Sequence, residues 1–251
     1  MSTPAPPEPG EPSPAFDREA RHYRLNWDSR PIVQNWRGRV LAAVLADAPV
    51  GSSVVDVGAG SGADAAALEA AGCRVTAIEP SAGMRRVALE RGVVACAGSF
   101  VDAPALAGPG HDRVLLNFGV LNCLLSLESL GPTLQALLRV GGRAVLVWMS
   151  RHCPVDSLSR LARGQRPRRG RAAAVVAGES IPVRWWRVSE VEAALGPAFR
   201  VRNVEAIGLL VPSPDLGGAP GRRSAVEPAL ASLPVLRGWG DHTLCMVERV
   251  S

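Results

Sequence analysis

The feature that most constrains the fold is a short apolar segment that leads directly into a glycine-rich turn. Residues 53–57 (SVVDV) have the composition of a buried strand, residues 58–62 (GAGSG) form the turn, and an alanine-rich helix pattern begins at Ala63. Glycines at such a turn let the backbone approach a ligand closely, and the start of the helix offers free N–H groups. The segment therefore predicts a ligand-binding loop in an α/β fold.

The alternation of strand and helix patterns continues along the chain. Further apolar strand patterns occupy residues 73–78, 93–96, 112–117, 143–149, 199–207 and 242–250, and helix patterns separate most of them. Nearly continuous apolar strands that alternate with helices indicate a parallel sheet covered on both faces.

The chain is predicted to be one domain, 15–251, behind a disordered tail, 1–14, that is rich in Pro, Glu and Gly. The strand–helix rhythm breaks in two insertions, 151–187 and 209–240. The strands before them are predicted to be parallel and to end at the same edge of the sheet. We therefore expect the insertions to meet above that edge as a lid.

The composition excludes several protein classes. Apolar residues make up 47% and charged residues 20%, as in an ordinary globular protein. No apolar run reaches the roughly 18 residues of a membrane span, and the N-terminus lacks a secretory signal pattern. The five scattered cysteines contain no C-x-x-C pair, so neither disulfides nor a zinc site are expected. These features predict a cytoplasmic protein without a metal or a membrane partner.

The positive charge is concentrated in the first insertion. The net charge is +5, and residues 151–187 contain nine arginines against two acidic residues. The chain has no lysine, which is typical of a GC-rich genome, so the charge alone does not favour nucleic acid. The run 163–171 is consistent with a solvated loop, a clamp for an anionic molecule or an RNA contact, and it lacks the interleaved aromatics of a single-strand binding surface.

Two carboxylates specify the ligand of the glycine turn. Glu79 lies 21 residues after Gly58, close to the spacing of a carboxylate that holds ribose hydroxyls. Gly58-x-Gly60-x-x-Ala63 also satisfies a loose dinucleotide pattern, so the glycines leave a nicotinamide or flavin cofactor open. Asp56 is unsuited to a pyrophosphate but suits a ligand with an ammonium group, which favours S-adenosylmethionine.

The motif series resembles one family. DVGAGSG (56–62), AIEPS (77–81), RVLLNFGVLN (113–122) and LLRVGGRAVL (137–146) are similar to the motifs of class I S-adenosylmethionine-dependent methyltransferases, and AFDREARHY (15–23) is similar to the leading helix of bacterial small-molecule members. The resemblance covers residues 16–150 well. It implies a Rossmann-like seven-stranded sheet of order 3-2-1-4-5-7-6, with strand 7 antiparallel and helices on both faces.

The resemblance also implies roles for cofactor-binding residues. Gly58, Ala59 and Gly60 would line the methionine and ribose portion, Asp56 would lie near the ammonium group, and Glu79 would hold both ribose hydroxyls. The adenine would be flanked by Ser99 and Phe100, and the methionine end would be bordered by Asn117, Phe118 and Tyr23. Many members have Gly-Asp where this chain has Gly98-Ser99. The adenine contact of that Asp is therefore absent, unless Asp102 supplies it instead of capping a helix.

The catalytic and acceptor-binding candidates follow from strand ends. His152 follows the fifth strand, the pair Asp241–His242 precedes the last one, and Asn122 follows the fourth; a histidine at this edge can accept a proton. Each candidate has a structural alternative. His152 is then a histidine at the hinge of the lid, the Asp241–His242 pair caps the start of the strand, and Asn122 caps a helix. Trp185 and Trp186 are candidate apolar walls of the acceptor pocket, with Arg184 for an acidic group, or they pack the lid onto the core.

These inferences converge on methyl transfer from S-adenosylmethionine to a small organic acceptor, with bacterial secondary metabolism as a hypothesis from the family. Three alternatives remain open: an RNA methyltransferase that uses the Arg-rich insertion, a non-catalytic S-adenosylmethionine-binding accessory protein, and a nicotinamide-dependent oxidoreductase. The sequence does not specify the acceptor or the oligomeric state.

Overall fold

A computed structural model describes residues 14–166 and 173–251 of the chain. Its main sheet consists of β1 (Ser53–Val57), β2 (Arg74–Ile78), β3 (Ala95–Cys96), β4 (His111–Leu116), β5 (Leu138–Met149), β8 (Phe199–Ile207) and β9 (His242–Arg249). A separate hairpin consists of β6 (Ala173–Val176) and β7 (Glu179–Pro182). The predicted tail, apart from Pro14, and residues 167–172 of the arginine run lie outside the described residues.

The helices are α1 (Pro14–Tyr23), α2 (Pro31–Leu45), α3 (Ala63–Ala70), α4 (Ala82–Leu89), α5 (Ala103–Ala107), α6 (Val120–Cys123), α7 (Leu130–Leu137), α8 (Pro154–Leu161), α9 (Val188–Leu195) and α10 (Arg222–Ala231). A π-helical turn, Arg24–Asp28, connects α1 to α2, and a 3₁₀ turn covers Pro214–Leu216.

The order of the main sheet is β3-β2-β1-β4-β5-β9-β8. All neighbours are parallel except β9, which is antiparallel to both β5 and β8. The predicted fold and strand order are confirmed, because β6 and β7 belong to the first insertion and only shift the numbering of the last two strands. The carboxyl ends of β1, β2, β4 and β5 therefore meet at one edge, which we call the ligand edge.

Alternating side chains of the strands form two cores. One core packs Val55, Val114 and Leu146 against helices α7 and α9. The other packs Val54, Leu115 and Val145 against α2 and the fully buried Leu68 of α3. Successive residues of a strand point to opposite faces, so a sheet with two covered faces needs the continuous apolar strands seen in the sequence.

The two insertions are more regular than the sequence pattern indicates. The first contains α8 and the hairpin, whose turn residues Ala177 and Gly178 both have positive φ, +48° and +80°, as a tight two-residue hairpin requires. The second, which was predicted to be irregular, contains α10. Buried Glu227 anchors α10 by accepting the amides of Gly208 (2.8 Å) and Leu210 (3.0 Å).

A buried polar cluster joins the two insertions. Asp156 on α8 accepts the hydroxyl of Ser213 (2.6 Å) and Nε of Arg160 (3.1 Å), and Arg160 pairs with Asp215 (2.5 Å). Asp156 and Ser213 are fully buried. The insertions therefore meet, as expected from the parallel strands that precede them.

Helix α1 lies between α4 and the hairpin. Asp17 accepts the hydroxyl of Ser81 (2.6 Å) and the amide of Gly83 (2.7 Å) at the start of α4. Arg18 pairs with Glu179 of the hairpin, and Ala15 packs against Ile181. These contacts bring α1 and the hairpin together next to the ligand edge.

Candidate active site

The glycine loop leaves β1 with three residues in the left-handed region. Gly58, Gly60 and Gly62 have φ of +73°, +54° and +74°. A Cβ at Gly58 would come within 2.4 Å of the Val120 side chain, whereas a Cβ at Gly60 would meet no atom closer than 3.9 Å. The loop therefore needs glycine for its conformation at all three positions and for close packing against α6 at Gly58.

This difference gives a testable expectation for stability. Gly58→Ala and Gly60→Ala should each lose about 1–2 kcal/mol in free energy of unfolding, because both place Cβ in the left-handed region. Gly58→Ala should lose a further ~1–3 kcal/mol through the overlap with Val120. Urea denaturation of both variants measures the difference. Combining Gly58→Ala with Val120→Ala should recover part of the extra loss, and equal losses in the two single variants would contradict the packing argument.

Glu79 closes the loop from the end of β2. Its two carboxylate oxygens accept the amides of Gly60 (2.8 Å) and Ser81 (2.8 Å), and the side chain is 6% exposed. Burial raises the pKa of Glu79, while these two amide hydrogen bonds act in the opposite direction. The carboxylate is thus held in position beside the glycine loop, where each oxygen retains a further acceptor site.

Asp56 lies beneath the loop, and part of its carboxylate is unsatisfied. The side chain is 1% exposed, and it accepts the backbone N–H of Ala65. Among the described residues, its Oδ2 is a buried oxygen without a hydrogen-bond partner. Burial raises the pKa of Asp56 well above the ordinary value, and the carboxylates of Asp64 and Glu79 raise it further.

A buried ion network connects the loop to α2. Arg37 donates from Nε to Asp64 (2.6 Å) and from Nη2 to Asp28 (3.2 Å). Asp28 also accepts the hydroxyl of Ser61 (2.5 Å) and a guanidinium N–H of Arg91 (2.6 Å). The network fixes the loop through Ser61 and brings a cation close to the buried carboxylates.

The sequence did not single out Arg37, Asp28 or Asp64. Asp64 follows the glycine turn directly, in the first turn of α3, and this position was a usable signal because acids are favoured there. Arg37 and Asp28 carry no such local signal, since they are separated from Asp64 by 27 and 36 residues and meet it only after folding.

The residues present fit S-adenosylmethionine. That cofactor carries a sulfonium, an ammonium and a carboxylate, and therefore one net positive charge. The site holds three neighbouring carboxylates, of which Asp56 and Glu79 are close to the loop and Asp56 has an unpartnered Oδ2. A buried unpaired oxygen is costly, and an ammonium group would satisfy it.

The turn after β4 is strained next to the loop. Asn117 donates from its amide to Asp64 (2.8 Å) and accepts the N–H of Phe118 (2.9 Å). Phe118 has φ of +40°, which is uncommon for a bulky residue. Its ring lies 5.1 Å from the ring of His242 and 6.3 Å from that of Trp27. This turn forms an aromatic wall at the ligand edge.

His242 is enclosed by this wall. The ring is buried, with Trp36 at 5.5 Å on one side and Phe118 on the other. Its Nδ1 lies 3.0 Å from Oδ2 of Asp241 but is out of alignment for a hydrogen bond. The side chains of the predicted Asp241–His242 pair are therefore close together but are not joined by a hydrogen bond.

The other predicted cofactor residues occupy varied surroundings. Tyr23 packs with Met84 and Val87 between α1 and α4. Phe100 is buried within the main core. Ser99 donates both its N–H (2.8 Å) and its hydroxyl (2.7 Å) to Asp102, which makes no side-chain hydrogen bond to cap α5. Asp102 therefore occupies the N-cap position of α5, but its carboxylate is held by Ser99 and makes no hydrogen bond to the helix.

The predicted tryptophan pair is split between two environments. Trp185 packs with Ile181 and Val183 against α1. Trp186 is buried in the main core, where its Nε1 donates to the carbonyl of Leu121 (2.8 Å). The two side chains therefore do not form one continuous wall. The Arg184 guanidinium lies 5.0 Å from the Trp186 ring.

Of the two other catalytic candidates, Asn122 is buried and hydrogen-bonded, whereas His152 is exposed. The Asn122 amide accepts the N–H of Met149 (2.8 Å) and donates to the carbonyls of Met149 (3.2 Å) and Arg184 (2.7 Å). Since the side chain is fully buried, it acts as a tie between β5 and the lid rather than as a free catalytic group. His152 is exposed and lines a cavity next to the end of β5.

In residues 14–166 and 173–251, no helix is long and apolar enough to cross a bilayer. Over the same residues, no cluster of three or more His, Cys, Asp and Glu is placed to hold a metal ion.

Comparison with known proteins identifies the family. Residues 29–187 match a family model described as a methyltransferase domain. A demethylmenaquinone methyltransferase of Thermobifida fusca is 37% identical over 136 residues, 50% of this chain and 54% of that protein. One of Clavibacter sepedonicus is 33% identical over 144 residues, 55% and 58% of the two chains. The chain thus spans about half the length of the curated relatives it matches.

Solved structures show the same fold. An N-methyltransferase from Bradyrhizobium japonicum, solved with S-adenosyl-L-homocysteine, has a TM-score of 0.57 and 14% identity, covering 94% of this chain and 96% of that one. A geranyl diphosphate C-methyltransferase from Streptomyces coelicolor has a TM-score of 0.59 and 15% identity, covering 96% and 100%. Together with the family match, which extends over more than half of the chain, the motif series and the sheet order show that this chain belongs to the class I S-adenosylmethionine-dependent methyltransferases.

Proposed function

We propose that the chain transfers the methyl group of S-adenosylmethionine to a small organic acceptor. The observation that carries the proposal is the buried, unpartnered Oδ2 of Asp56 beneath a glycine loop that Glu79 closes. The curated relatives, which are named for methylation of a small molecule, support the same class of acceptor. Bacterial secondary metabolism remains a hypothesis from the family.

The chemistry that the cofactor supplies when bound is an activated methyl group, whose carbon–sulfur bond breaks as the acceptor's nucleophilic atom attacks in line. Positioning therefore supplies most of the protein's contribution. Glu79 would hold the ribose, Asp56 would hold the ammonium group, and the turn at Asn117 and Phe118 would border the reacting end. The Phe118 ring, which follows a backbone φ of +40°, lies 5.1 Å from the ring of His242.

A proton acceptor is needed only for acceptors that arrive protonated. We assign that role to His242, because its ring contacts the aromatic wall and Oδ2 of Asp241 lies 3.0 Å from its Nδ1. His152 is the alternative on the exposed side of the edge. Replacing His242 by Gln should lower turnover while leaving cofactor affinity nearly unchanged, whereas a role in packing alone would lower stability and not change the pH profile.

The RNA alternative has less structural support. Of the arginine run 163–171, residues 163–166 are described. Within them Arg163 donates to the carbonyls of Ser159 (2.9 Å) and Leu216 (3.3 Å), and Arg160, just before the run, is engaged by two carboxylates. These hydrogen bonds and ion pairs of Arg160 and Arg163 connect the first insertion to the second. Methyl incorporation into total RNA that falls steeply with salt would favour the RNA alternative instead.

The test has two stages. Calorimetric titration with S-adenosylmethionine, S-adenosylhomocysteine, NAD and NADP should show binding of the first two only. Incubation with methyl-labelled S-adenosylmethionine then screens reduced quinones, aromatic acids, amines and RNA as acceptors. Nicotinamide binding alone would overturn the proposal, and cofactor binding without turnover on any acceptor would support the accessory-protein alternative.

The raised pKa of Asp56 predicts a pH dependence of cofactor binding. In the ligand-free protein burial favours the protonated carboxyl, and this stabilisation of the fold is lost as the pH rises through the raised pKa. An ammonium group favours the ionised carboxylate, so binding should release a proton and weaken as the pH falls below that pKa. Calorimetry in two buffers of different ionisation enthalpy measures the release. Asp56→Asn should lower the number of protons that are released on binding, and an unchanged release in this variant would contradict the assignment of Asp56 to the ammonium group.

A further inference from the structure

A cavity of about 290 Å³ lies at the ligand edge beyond the cofactor loop. Its walls come from the end of β5, the start of β9, the start of α9 and the second insertion. None of the glycine-loop residues, nor Asp56 or Glu79, lines it. The cavity is therefore separate from the site that holds the cofactor, although both open at the same edge of the sheet.

The charge of this cavity is unbalanced. Arg151, Arg187 and Arg237 line it, together with one carboxylate, that of Glu192, which pairs with Arg237 at 3.5 Å. Among the described residues, neither Arg151 nor Arg187 has an ion-pair partner. Guanidinium groups present forked donors that match carboxylate and phosphate oxygens. The arrangement therefore favours a ligand with an oxyanion group.

Helix α9 adds to this preference. Val188 and Ser189, its first two residues, line the cavity, so the positive end of the helix faces it. Glu190 accepts the N–H of Arg187 (2.7 Å) and is not part of the lining, so Glu192, which pairs with Arg237, is the carboxylate that α9 contributes to the cavity wall.

Two tryptophans form apolar walls beside the arginines. Trp186 is fixed by its hydrogen bond to Leu121, whereas Trp239 is 43% exposed and stands beside Pro234 and Val235. Of the two rings, that of Trp239 offers the exposed aromatic surface, and such a surface next to cationic groups suits a ligand with a flat or apolar body attached to its anionic group.

We propose that this cavity binds the oxyanion group, a carboxylate or a phosphate, of an acceptor with an apolar body. The identification of the ligand as the acceptor rests on the proposed function. Thr243, in the cavity wall, and His242, whose ring meets Phe118, are successive residues of β9, so their side chains lie on opposite faces of the sheet. A ligand anchored by Arg151 and Arg187 would therefore have to extend across the ligand edge to bring its other end to the aromatic wall.

The binding test uses phenyl phosphate and benzoate as probes, with inorganic phosphate for comparison. Calorimetry should show that the parent protein binds phenyl phosphate or benzoate more tightly than inorganic phosphate. The double variant Arg151→Gln/Arg187→Gln should bind about 10-fold or more weakly, since charge-assisted hydrogen bonds are lost. Trp239→Ala should remove the advantage of the phenyl group. Arg200→Gln, an exposed arginine at the opposite edge of the sheet, is the matched control and should bind as the parent does.

Titration of the same samples with S-adenosylhomocysteine separates the two hypotheses. All variants should bind S-adenosylhomocysteine with equal affinity. If the parent protein does not bind S-adenosylhomocysteine, the proposed function is refuted, while the result for anion binding stands. In the acceptor screen, the double variant should raise the KM of acidic acceptors about 10-fold relative to Arg200→Gln. The proposal is overturned if the parent binds neither organic probe, or if the Arg200→Gln control loses as much affinity as the double variant. It is also overturned if the acceptor proves to be neutral and the double variant and the control methylate it equally well.

Discussion

Replacing Glu79 by Ala should weaken the binding of S-adenosylmethionine by about 100-fold. Two hydrogen bonds from ribose hydroxyls to a carboxylate, each worth about 1.5–3 kcal/mol, would be lost, and the lower limit of about 3 kcal/mol for the pair corresponds to slightly more than a factor of 100. The same carboxylate orders the loop through Gly60 and the start of α4 through Ser81. Calorimetry with S-adenosylhomocysteine measures the loss of affinity directly.

Two comparisons separate ribose binding from loop order. Glu79→Gln keeps one acceptor oxygen and should lose less affinity than Glu79→Ala. Glu90→Ala, which removes an exposed carboxylate at the end of α4, is the control and should bind the cofactor normally. If Glu79→Ala binds S-adenosylmethionine as well as the parent does, then Glu79 does not hold the ribose.

The second large effect is expected at Arg37. Arg37→Met should lower the free energy of unfolding by about 3–5 kcal/mol, because the buried carboxylates of Asp28 and Asp64 would lose a cationic partner. Asp64 also holds Asn117 (2.8 Å), so the turn after β4 should lose its support and, if the proposed cofactor site is right, cofactor affinity should fall as well. Urea denaturation and calorimetry measure the two effects.

The control for Arg37 is an ion pair on the surface. Arg202→Met removes the exposed pair with Glu248 and should change the unfolding free energy far less than Arg37→Met does. Arg37→Lys keeps the charge but cannot reach both carboxylates with a planar fork, so it should restore part of the loss. Equal stability of Arg37→Met and Arg202→Met would show that the network does not support the loop.

Local patterns in the sequence were sufficient for the sheet and for its glycine loop. The parallel strands are continuous apolar runs because both of their faces are buried, and the loop needs glycines because its backbone adopts positive φ. Both requirements act on neighbouring residues and therefore produce a recognisable pattern in the sequence. The strands that pair with each other produce no such pattern, so the order of the strands followed from the resemblance to a family.

Residues that act together across the fold were not readable in this way. Arg37 meets Asp64 only after α2 packs on α3, and Asp156 meets Ser213 only after the two insertions close on each other. Helix α10 and the hairpin of β6 and β7 were not predicted, because their segments are rich in Pro, Gly and Arg. Tertiary contacts such as those of Glu227 override the local preferences of these residues.

By itself, the sequence determined the α/β class, the position of the glycine loop and the two carboxylates, Asp56 and Glu79, that lie beside it. Tertiary structure alone decided which partners those carboxylates have, that Trp185 and Trp186 face different surroundings, and that three arginines from separate segments line one cavity. The physical reason is range: backbone conformation and burial are set over a few residues, whereas charge pairing and cavities depend on atoms that the folded sheet brings together from distant parts of the chain.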